Sequence, residues 1–386
     1  MDELGEYQNQ PLIDLVGDTF SEAMNILCKV GLNDANLFLR WPIHLSDGQL
    51  YRFKLAQLLD SGKEYWICDE FCSILDRTTA KIVAFNIQKL ARRADATLIV
   101  ATTHTDLFHD LNPSVYIRKG WGSQIEIEYG SNEETTSCSV IKDIEIRESD
   151  KSEYNILGYL HYRSQKAPIP MKFYALTIRG ELIGIIVYSY AQVFGRGRKQ
   201  AAGRAPKFDE LNQDWVQISR VIIHPLYRSI GLGAHLIRET LPLIGKRHVE
   251  LMAVMAQYNP FAEKAGMRLI LRAEPTQNVV DAIKRLERLG FNPYMMSSTN
   301  YSQGILDTLS EEKLEELKDI LVSAGSQYYR RLSRKRTPYV KQPEFKEWLS
   351  QQDSKSLAWT LQTLSTLGQT KAYYYWCRDW LEEEQP

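Results

Sequence analysis

The sequence has few cysteines and prolines and no long apolar run, and each shortage excludes a class of protein. With 5 Cys and 14 Pro in 386 residues, it is neither a disulfide-stapled secreted scaffold nor a proline-rich disordered chain. No run of about 18 apolar residues occurs, so no membrane-spanning helix is expected. The N-terminus is acidic and polar, unlike a secretory signal. We therefore expect a cytoplasmic protein.

An excess of one charge is also missing, since 47 Lys and Arg residues face 48 Asp and Glu residues. Any contact with nucleic acid must therefore depend on a local patch. Hydrophobic residues make up 44% and charged residues 25%, which is typical of soluble globular proteins. A chain of 386 residues, at about 150 residues per domain, predicts two or three domains.

The five cysteines are odd in number and scattered. Only Cys68 and Cys72 are close together, and no second pair or histidine follows at metal-ligand spacing. We expect reduced, mostly buried thiols rather than a metal site or a disulfide.

Polar stretches at 129–137 and 274–278 divide the chain into three regions. The first region (residues 1–130) alternates apolar strands at 65–68 and 96–101 with a helix near 79–94, and a buried parallel sheet is expected. The second region (residues 138–275) reads as an α/β sheet containing a hairpin with a tight Arg179-Gly180 turn. The third region (residues 276–386) reads as helical, with helices beginning after Thr276 and Ser310.

Residues suited to phosphate chemistry follow one another in the first region. Ser46 and Gly48 of the run LSDGQ open a helix, where a hydroxyl, a backbone amide and the positive helix dipole favour a phosphate. An apolar strand then ends in Asp69-Glu70, where the first carboxylate can hold Mg²⁺ through water and the second can polarise an attacking water. A histidine, His104, follows the next strand.

In this order and spacing, residues 45–104 resemble the C-terminal half of an ABC-type ATPase. The resemblance implies a signature LSDGQ, a Walker B strand, a D-loop SILD and a switch histidine. The implied nucleotide-site residues are Ser46, Gly48, Gln49, Asp69, Glu70, Asp76 and His104, with Asp69 as the metal ligand.

The phosphate-binding loop of such ATPases, G-x-x-x-x-G-K-[ST], is missing from the sequence. Neither Gly62-Lys63 nor Gly245-Lys246 is followed by Ser or Thr. The chain is therefore expected to be a fragment, or a product that has lost its N-terminal half. ATP and Mg²⁺ are expected as cofactors only if a partner or a missing half supplies the P-loop, and autonomous ATP hydrolysis is not expected.

A second motif lies in the second region, where the β run 215–223 and His224-Pro225 precede the sequence RSIGLGA at 228–234. Glycines at this spacing let backbone amides at a helix start approach a pyrophosphate. R-x-x-G-x-G-A, the following strand near 249–256 and the upstream hairpin together resemble motif A of the GNAT acetyltransferase superfamily. The resemblance implies a GNAT fold and acetyl-CoA as cofactor.

The same resemblance implies that amides of residues 228–234 bind the CoA pyrophosphate. The backbone of Val221 and Ile223 would hold pantetheine and the acyl carbonyl, with Asn259 on the far side. The implied cofactor-binding residues are Val221, Ile223, Arg228, Ser229, Ile230, Gly231, Leu232, Gly233, Ala234 and Asn259.

The proton donor and acceptor are less clearly marked. Many GNAT members carry a general-acid Tyr where this chain has Ala262. Tyr258, four residues earlier, is a candidate substitute, and a packed aromatic is the alternative role for it. Ser219, His161 and His224 are the candidates for a base, and direct transfer without a strong base stays open.

A long polar segment at 193–212 separates the hairpin from motif A. It is either a flexible surface loop or a substrate arm, whose cations would neutralise phosphates. The arm residues would be Arg196, Arg198, Lys199 and Arg204. Tyrosines and arginines recur together at 328–336, as a second basic patch or as a solvated helix end.

The expected fold is α/β, with a partial ABC ATPase region of the P-loop NTPase type, a GNAT fold and a helical C-terminal region. The whole resembles a prokaryotic and phage family in which an ABC ATPase is fused to an acetyltransferase. The first hypothesis is an acyl-CoA-dependent N-acyltransferase acting on nucleic acid rather than on protein or a small amine. The alternative is a non-catalytic binding module whose ABC half completes a nucleotide site in trans. Expected partners are DNA or RNA and a P-loop-bearing ABC subunit or a second copy of the chain, with no membrane.

Overall fold

The computed structural model describes residues 10–33, 35–135, 137–160, 168–193, 195, 197–254, 259–293, 295–333 and 340–383. The chain forms two compact units, Met1–Leu269 with Tyr374–Pro386, and Ile270–Tyr373. The first and second regions therefore share one unit, and the boundary expected near residue 130 does not separate compact units. No helix within the described residues is long and apolar enough to cross a bilayer.

The first region begins with helices and contains two separate two-stranded sheets. Its elements are α1 (Phe20–Lys29), α2 (Ala35–Phe38), α3 (Asp47–Asp60), β1 (Tyr65–Cys68), α4 (Arg77–Arg93), β2 (Thr97–Val100), α5 (Phe108–Leu111), β3 (Val115–Lys119) and β4 (Ile125–Tyr129). Strands β1 and β2 pair in parallel, whereas β3 and β4 form an antiparallel hairpin.

The parallel pair β1–β2 is buried on one face only. Trp66 of β1 packs in a core cluster with residues of α3 and α4. On the opposite face Tyr65, Ile67 and Ile99 remain 64%, 59% and 51% exposed. The prediction of a buried parallel sheet is therefore wrong, because helices cover only one face of the two strands and the other face is exposed.

Helix α4 begins at a well-defined cap. The Asp76 carboxylate accepts hydrogen bonds of 3.0 Å from the backbone amides of Thr78 and Thr79. Burial alone would raise the pKa of Asp76, but the hydrogen bonds from Thr79 and Thr78 outweigh it and lower the pKa. Arg92 and Arg93 in the last turn complement the negative end of the helix dipole.

The second region is built around one mixed sheet. Its elements are β5 (Ile144–Ser149), α6 (Lys151–Leu157), β6 (Pro170–Ile178), β7 (Glu181–Tyr190), α7 (Arg198–Ala202), α8 (Phe208–Asp214), β8 (Trp215–Ile223), α9 (Leu232–Thr240), β9 (His248–Ala253), α10 (Phe261–Lys264) and β10 (Arg268–Ala273). The tight turn between β6 and β7 is confirmed, with φ of 49° at Arg179 and 82° at Gly180.

The third region is mostly helical, as predicted. Its elements are α11 (Gln277–Arg288), α12 (Thr299–Leu306), α13 (Glu311–Ser323), α14 (Ser326–Leu332), α15 (Gln342–Ser350), α16 (Ser354–Leu367), β11 (Lys371–Cys377) and α17 (Trp380–Glu383). Tyr328 and Tyr329 are buried in the helical core, and Tyr328 donates to the carbonyl of Thr360 at 3.0 Å. Their rings are therefore not available for a basic-aromatic patch.

The sequence predicted a purely helical third region, but the structure also contains a strand there, β11. The seven-stranded sheet has the order β10-β11-β9-β8-β7-β6-β5, so β11 lies between β10 and β9. The segment 274–370 is thus inserted in sequence between two neighbouring strands. Tyr374 of β11 donates to Glu263 of α10 at 2.8 Å, and Tyr375 bonds to His248 of β9 at 2.7 Å.

Candidate functional site

The candidate cleft opens where two parallel strands diverge. The pairing of β8 with β9 runs from Trp215 opposite His248 to Ile218 opposite Leu251. Both strands continue further, β8 to Ile223 and β9 to Ala253, without further pairing between these described residues. A cleft of about 700 Å³ lies at this divergence.

A β-bulge on β8 places one of the predicted catalytic residues in this cleft. Arg220 lies opposite Val187 and Ile218 opposite Tyr188, which leaves Ser219 as the extra residue. The Ser219 hydroxyl lies 2.7 Å from the hydroxyl of Ser189 and donates to the Val187 carbonyl at 3.2 Å. Among the described residues, its partners include neither an imidazole nor a carboxylate, so the hydroxyl is held in position without being activated.

The loop predicted to hold a pyrophosphate borders the same cleft. Gly231, with φ of 89°, occupies the N-cap of α9, and no side chain of the described residues caps this helix. The first-turn amides of a helix have no intrahelical partner, so these amides are available to an anion. Arg228 closes the loop onto β8, with Nε donating to the Ile223 carbonyl at 3.0 Å.

Most of the predicted cofactor-binding residues therefore meet in one place. The structure places these residues along the cleft: Val221, Ile223, Arg228, Ser229, Gly231, Leu232, Gly233, Ala234 and Asn259. Ile230 is not among the lining residues and is buried, which suits a packing role for its side chain. The residues present fit a nucleotide-bearing cofactor, since an uncapped helix start and several cations face an open cleft.

Part of the cleft lining comes from the first region, which no motif of the sequence indicated. We call these residues the first-region wall: Asn25, Cys28, Lys29, Asn33, Phe38, Asn86, Lys89, Leu90 and Arg93. No local motif marks them, because they are scattered over three helices and one loop and differ in chemical type. Burial raises the pKa of the Cys28 thiol to about 12, so this cysteine is not a thiolate nucleophile.

A buried arginine joins the two regions beside the loop. Arg52 of α3 is 4% exposed and donates to the carbonyl oxygens of Leu226 at 2.8 Å and Pro225 at 3.4 Å. Burial, with the nearby Arg228, lowers the pKa of Arg52 to about 10. Helix α3, which begins within the LSDGQ run, is therefore tied to the segment that leads into the loop 228–234.

The remaining catalytic candidates are His161, Tyr258 and His224. His161 and Tyr258 lie outside the described residues. His224 follows β8, but it is not among the residues that line the cleft. Burial, and secondarily Arg228, lowers the pKa of His224, which disfavours the protonated ring.

Two of the ABC-like residues cap a helix together. The Ser46 hydroxyl accepts from the Gln49 amide at 3.4 Å, and the Gln49 side chain accepts from the Ser46 amide at 3.1 Å. Gly48 in the same turn lies against Thr79, whose methyl group would be 3.3 Å from a Cβ added at position 48. The LSDGQ run and the N-terminus of α4, capped by Asp76, are therefore adjacent.

The other ABC-like residues gather at the carboxyl edge of the β1–β2 pair. Asp69 and Glu70 are exposed there, and the Glu70 amide donates to Asp69 at 2.9 Å. Thr102 connects this edge to the histidine, because its hydroxyl donates to Phe71 at 3.0 Å and accepts from the His104 amide at 3.2 Å. Within the described residues, no group of three or more His, Cys, Asp or Glu side chains could hold a metal ion.

The substrate-arm assignment is wrong for Arg198. This guanidinium is 3% exposed and forms a bidentate pair with Glu250, at 2.6 Å and 2.9 Å. Arg204 is bonded to Glu210 at 2.7 Å and 2.8 Å, which offsets its charge. Lys199 is exposed, and Arg196 lies outside the described residues.

Sequence comparison finds ABC proteins over part of the chain. The chain is 32% identical over 120 residues to the cytochrome c biogenesis ATP-binding export protein CcmA of Aliivibrio fischeri, covering 31% of this chain and 57% of CcmA. It is 29% identical over 90 residues to the methionine import ATP-binding protein MetN 1 of Oceanobacillus iheyensis, covering 23% of this chain and 26% of that protein. The chain thus spans little more than half of CcmA and about a quarter of MetN 1.

Comparison of structures finds acetyltransferases. A GNAT family acetyltransferase from Elizabethkingia anophelis with acetyl-CoA bound matches at a TM-score of 0.25 and 12% identity, over 34% of this chain and 81% of that one. An IAA acetyltransferase from Bacillus cereus matches at a TM-score of 0.25 and 14% identity, over 34% and 81%. No family model matches the chain.

The chain is similar in part to ABC ATP-binding proteins and in part to GNAT acetyltransferases. The predicted α/β fold class with a helical C-terminal region is confirmed.

Proposed function

We propose that the second region is an acyl-CoA-dependent N-acyltransferase. The observation that carries this proposal is the cleft between the diverging ends of β8 and β9, closed at one end by the uncapped start of α9. Diverging strands expose backbone groups to an extended ligand, and the helix start offers amides to a pyrophosphate at the end of that ligand.

Bound acyl-CoA would supply the acyl group as a thioester. The amine of the acceptor would form a C–N bond to the carbonyl carbon as the C–S bond breaks, and CoA would leave as its thiol with the proton lost by the amine. The amides at the start of α9 would hold the pyrophosphate and so fix the distance from this anchor to the reacting end. Val221 would offer backbone hydrogen bonds to the pantetheine arm, while the Ile223 carbonyl is already engaged by Arg228. Charge that develops on the acyl oxygen would be stabilised by backbone amides fixed beforehand by the sheet.

Proton transfer in the proposed reaction would depend on side chains that are weak acids or weak bases. Ser219 faces the cleft, but its hydroxyl is engaged by Ser189 and Val187. A serine held in this way positions a substrate or a water better than it removes a proton. Tyr258 and His161 stay proposals for the acid and the base, and an amine that arrives neutral would need no strong base.

The proposed acceptor is nucleic acid. Its support in the sequence is the basic segment 193–212, of which Lys199 remains exposed while Arg198 is buried. Cations on such a segment would pair with phosphates and release counterions, so binding should weaken with rising salt. A protein or a small amine is the competing acceptor.

Calorimetric titration of the full chain with acetyl-CoA tests the cofactor assignment. Gly233→Glu adds a side chain and a negative charge to the loop and should abolish binding. Gly304→Glu is the matched control, because a Cβ at helix position 304 meets open space. Wild-type binding that only Gly233→Glu removes is expected and would justify an acceptor screen with DNA, tRNA, proteins and small amines. Wild-type chain that binds nothing at millimolar acetyl-CoA would overturn the proposal.

A second proposed function is that the first region completes a nucleotide site in trans. The open face of β1–β2, with Tyr65, Ile67 and Ile99, is an apolar surface that a P-loop-bearing α/β partner would cover. Ser46 and Gly48 would then be offered to the nucleotide of that partner. Co-purification with a P-loop-bearing partner, lost on Ile67→Lys and retained on Ile156→Lys, at an exposed isoleucine of the second region, is the expected result. Equal retention by both variants would overturn it.

A further inference from the structure

We propose that the first region completes the cofactor cleft, and that Lys29, Lys89 and Arg93 bind the 3′-phosphate at the adenosine end of acyl-CoA. This inference rests on the proposed acyl-CoA site of the second region. It assigns a ligand-binding role to residues of the ABC-like part of the chain.

The first-region wall is fixed to the pyrophosphate loop by side-chain contacts. Asn86 donates to the Ser229 hydroxyl at 2.7 Å, and Arg228 donates to Asn33 at 3.3 Å. Gly31, with φ of 84°, lets the chain pass close by, since an added Cβ would lie only 2.8 Å from the Ser229 hydroxyl oxygen. These contacts hold the wall against the loop.

The polar residues of α4 run along the cleft away from this contact. Asn86, Lys89 and Arg93 lie on one face of the helix, at spacings of three and four residues. At the rise of an α-helix, Lys89 and Arg93 follow Asn86 by about 5 and 10 Å. The cations thus begin one turn beyond the loop, where a nucleotide anchored by its pyrophosphate would extend.

The charge of the cleft matches a ligand with more than one phosphate group. The described lining residues include no Asp or Glu and six cations, namely Lys29, Lys89, Arg93, Arg220, Arg228 and Lys264. Three of these cations belong to the first-region wall. In the proposed function the amides of the loop bind the pyrophosphate. The cations of the first-region wall would then bind the third phosphate group of acyl-CoA, the 3′-phosphate.

Within the described residues, the Glu134 carboxylate lies outside the lining and opposes the charge of two wall cations. Glu134 pairs with Lys89 at 3.1 Å and with Arg93 at 2.6 Å. Lys29, the last residue of α1, is exposed and forms no ion pair within the described part of the chain. Lys29 is therefore the cation whose removal should matter most, and loss of the Glu134 charge should favour the phosphate.

The test compares acetyl-CoA with acetyl-3′-dephospho-CoA by calorimetric titration of the full chain. Wild type should bind acetyl-CoA about tenfold more tightly, the effect of one hydrogen bond to a charged group. Lys29→Glu should remove most of this preference and leave the affinity for the dephospho ligand unchanged. Lys63→Glu, at an exposed lysine of the same region outside the cleft, should behave like wild type.

Glu134→Gln should change the affinity for acetyl-CoA in the opposite direction. It releases Lys89 and Arg93, so acetyl-CoA should bind about threefold more tightly, in the range of an exposed ion pair, while the dephospho ligand binds as before. A gain of this kind cannot result from misfolding.

The outcomes separate this inference from the proposed function. Absence of binding to either ligand in wild type would overturn both. Equal affinity of wild type for the two ligands, an unchanged preference in Lys29→Glu, or an equal loss for both ligands in that variant would overturn the role of the first region alone.

Discussion

The guanidinium of Arg198 and the carboxylate of Glu250 form a bidentate ion pair in the interior of the second region, at 2.6 Å and 2.9 Å. Glu250 belongs to β9, one of the two strands that diverge at the cleft. The Arg198 guanidinium also lies over the Trp215 ring, 5.6 Å from its centroid. The pair therefore anchors the segment after β7 to the strands that form the site.

Arg198→Ala should destabilise the protein by about 3–5 kcal/mol, because Glu250 loses its charged partner while it stays buried. Lys199→Ala, at an exposed position of the same helix, should change stability by less than about 0.5 kcal/mol. Urea unfolding followed by fluorescence measures the free energy of unfolding of both alanine variants. Arg198→Met combined with Glu250→Leu should recover most of the loss, and similar stabilities of the two alanine variants would contradict the structural role.

Arg52→Ala should lower stability by about 2 kcal/mol, because the carbonyl oxygens of Pro225 and Leu226 lose their donor. The same variant should weaken acetyl-CoA binding, since these carbonyls precede the pyrophosphate loop. Lys54→Ala on the same helix is the control. Unfolding midpoints and calorimetry give the two readouts, and an Arg52→Ala protein with normal stability would show that the contact is dispensable.

Stability should fall on acidification through His248. Burial, and secondarily Arg247, lowers its pKa, while Asp214 and Asp379 act in the opposite direction. The unfolded state then binds the proton more readily, so this contribution is present above pH of about 6.5 and is lost as pH falls below that value. His248→Phe keeps a ring between Trp215 and Tyr375 without a titrating group. Its unfolding midpoint should drop less than that of wild type between pH 8 and pH 5.5, and equal drops would exclude His248 as the cause.

The isolated chain should not hydrolyse ATP. Asp69, Glu70 and His104 share one edge of the β1–β2 pair, but the sequence has no P-loop to hold the β and γ phosphates. Phosphate release should stay at background for wild type and for Glu70→Gln alike. Hydrolysis that disappears in Glu70→Gln would mean that the chain builds a nucleotide site by another route.

Local sequence was sufficient for the elements that position the site. The β run 215–223 became β8 without a change of bounds, and Arg179-Gly180 forms the turn between β6 and β7. The glycines of the sequence RSIGLGA gave the helix start at the cleft. These features depend on strand propensity, turn geometry and backbone freedom, which are properties of a few consecutive residues.

The environment of each side chain was decided by the tertiary structure. Arg198 in a basic segment looked available to phosphates, yet it pairs with a residue 52 positions away. The first-region wall reaches the cleft through Asn86 and Ser229, which are 143 positions apart. Strand β11 joins the sheet beside β9 only after a long insertion. Burial, charge pairing and strand order depend on contacts between distant segments, so the sequence by itself determined the elements and motifs, and only folding decided which residues share the cleft.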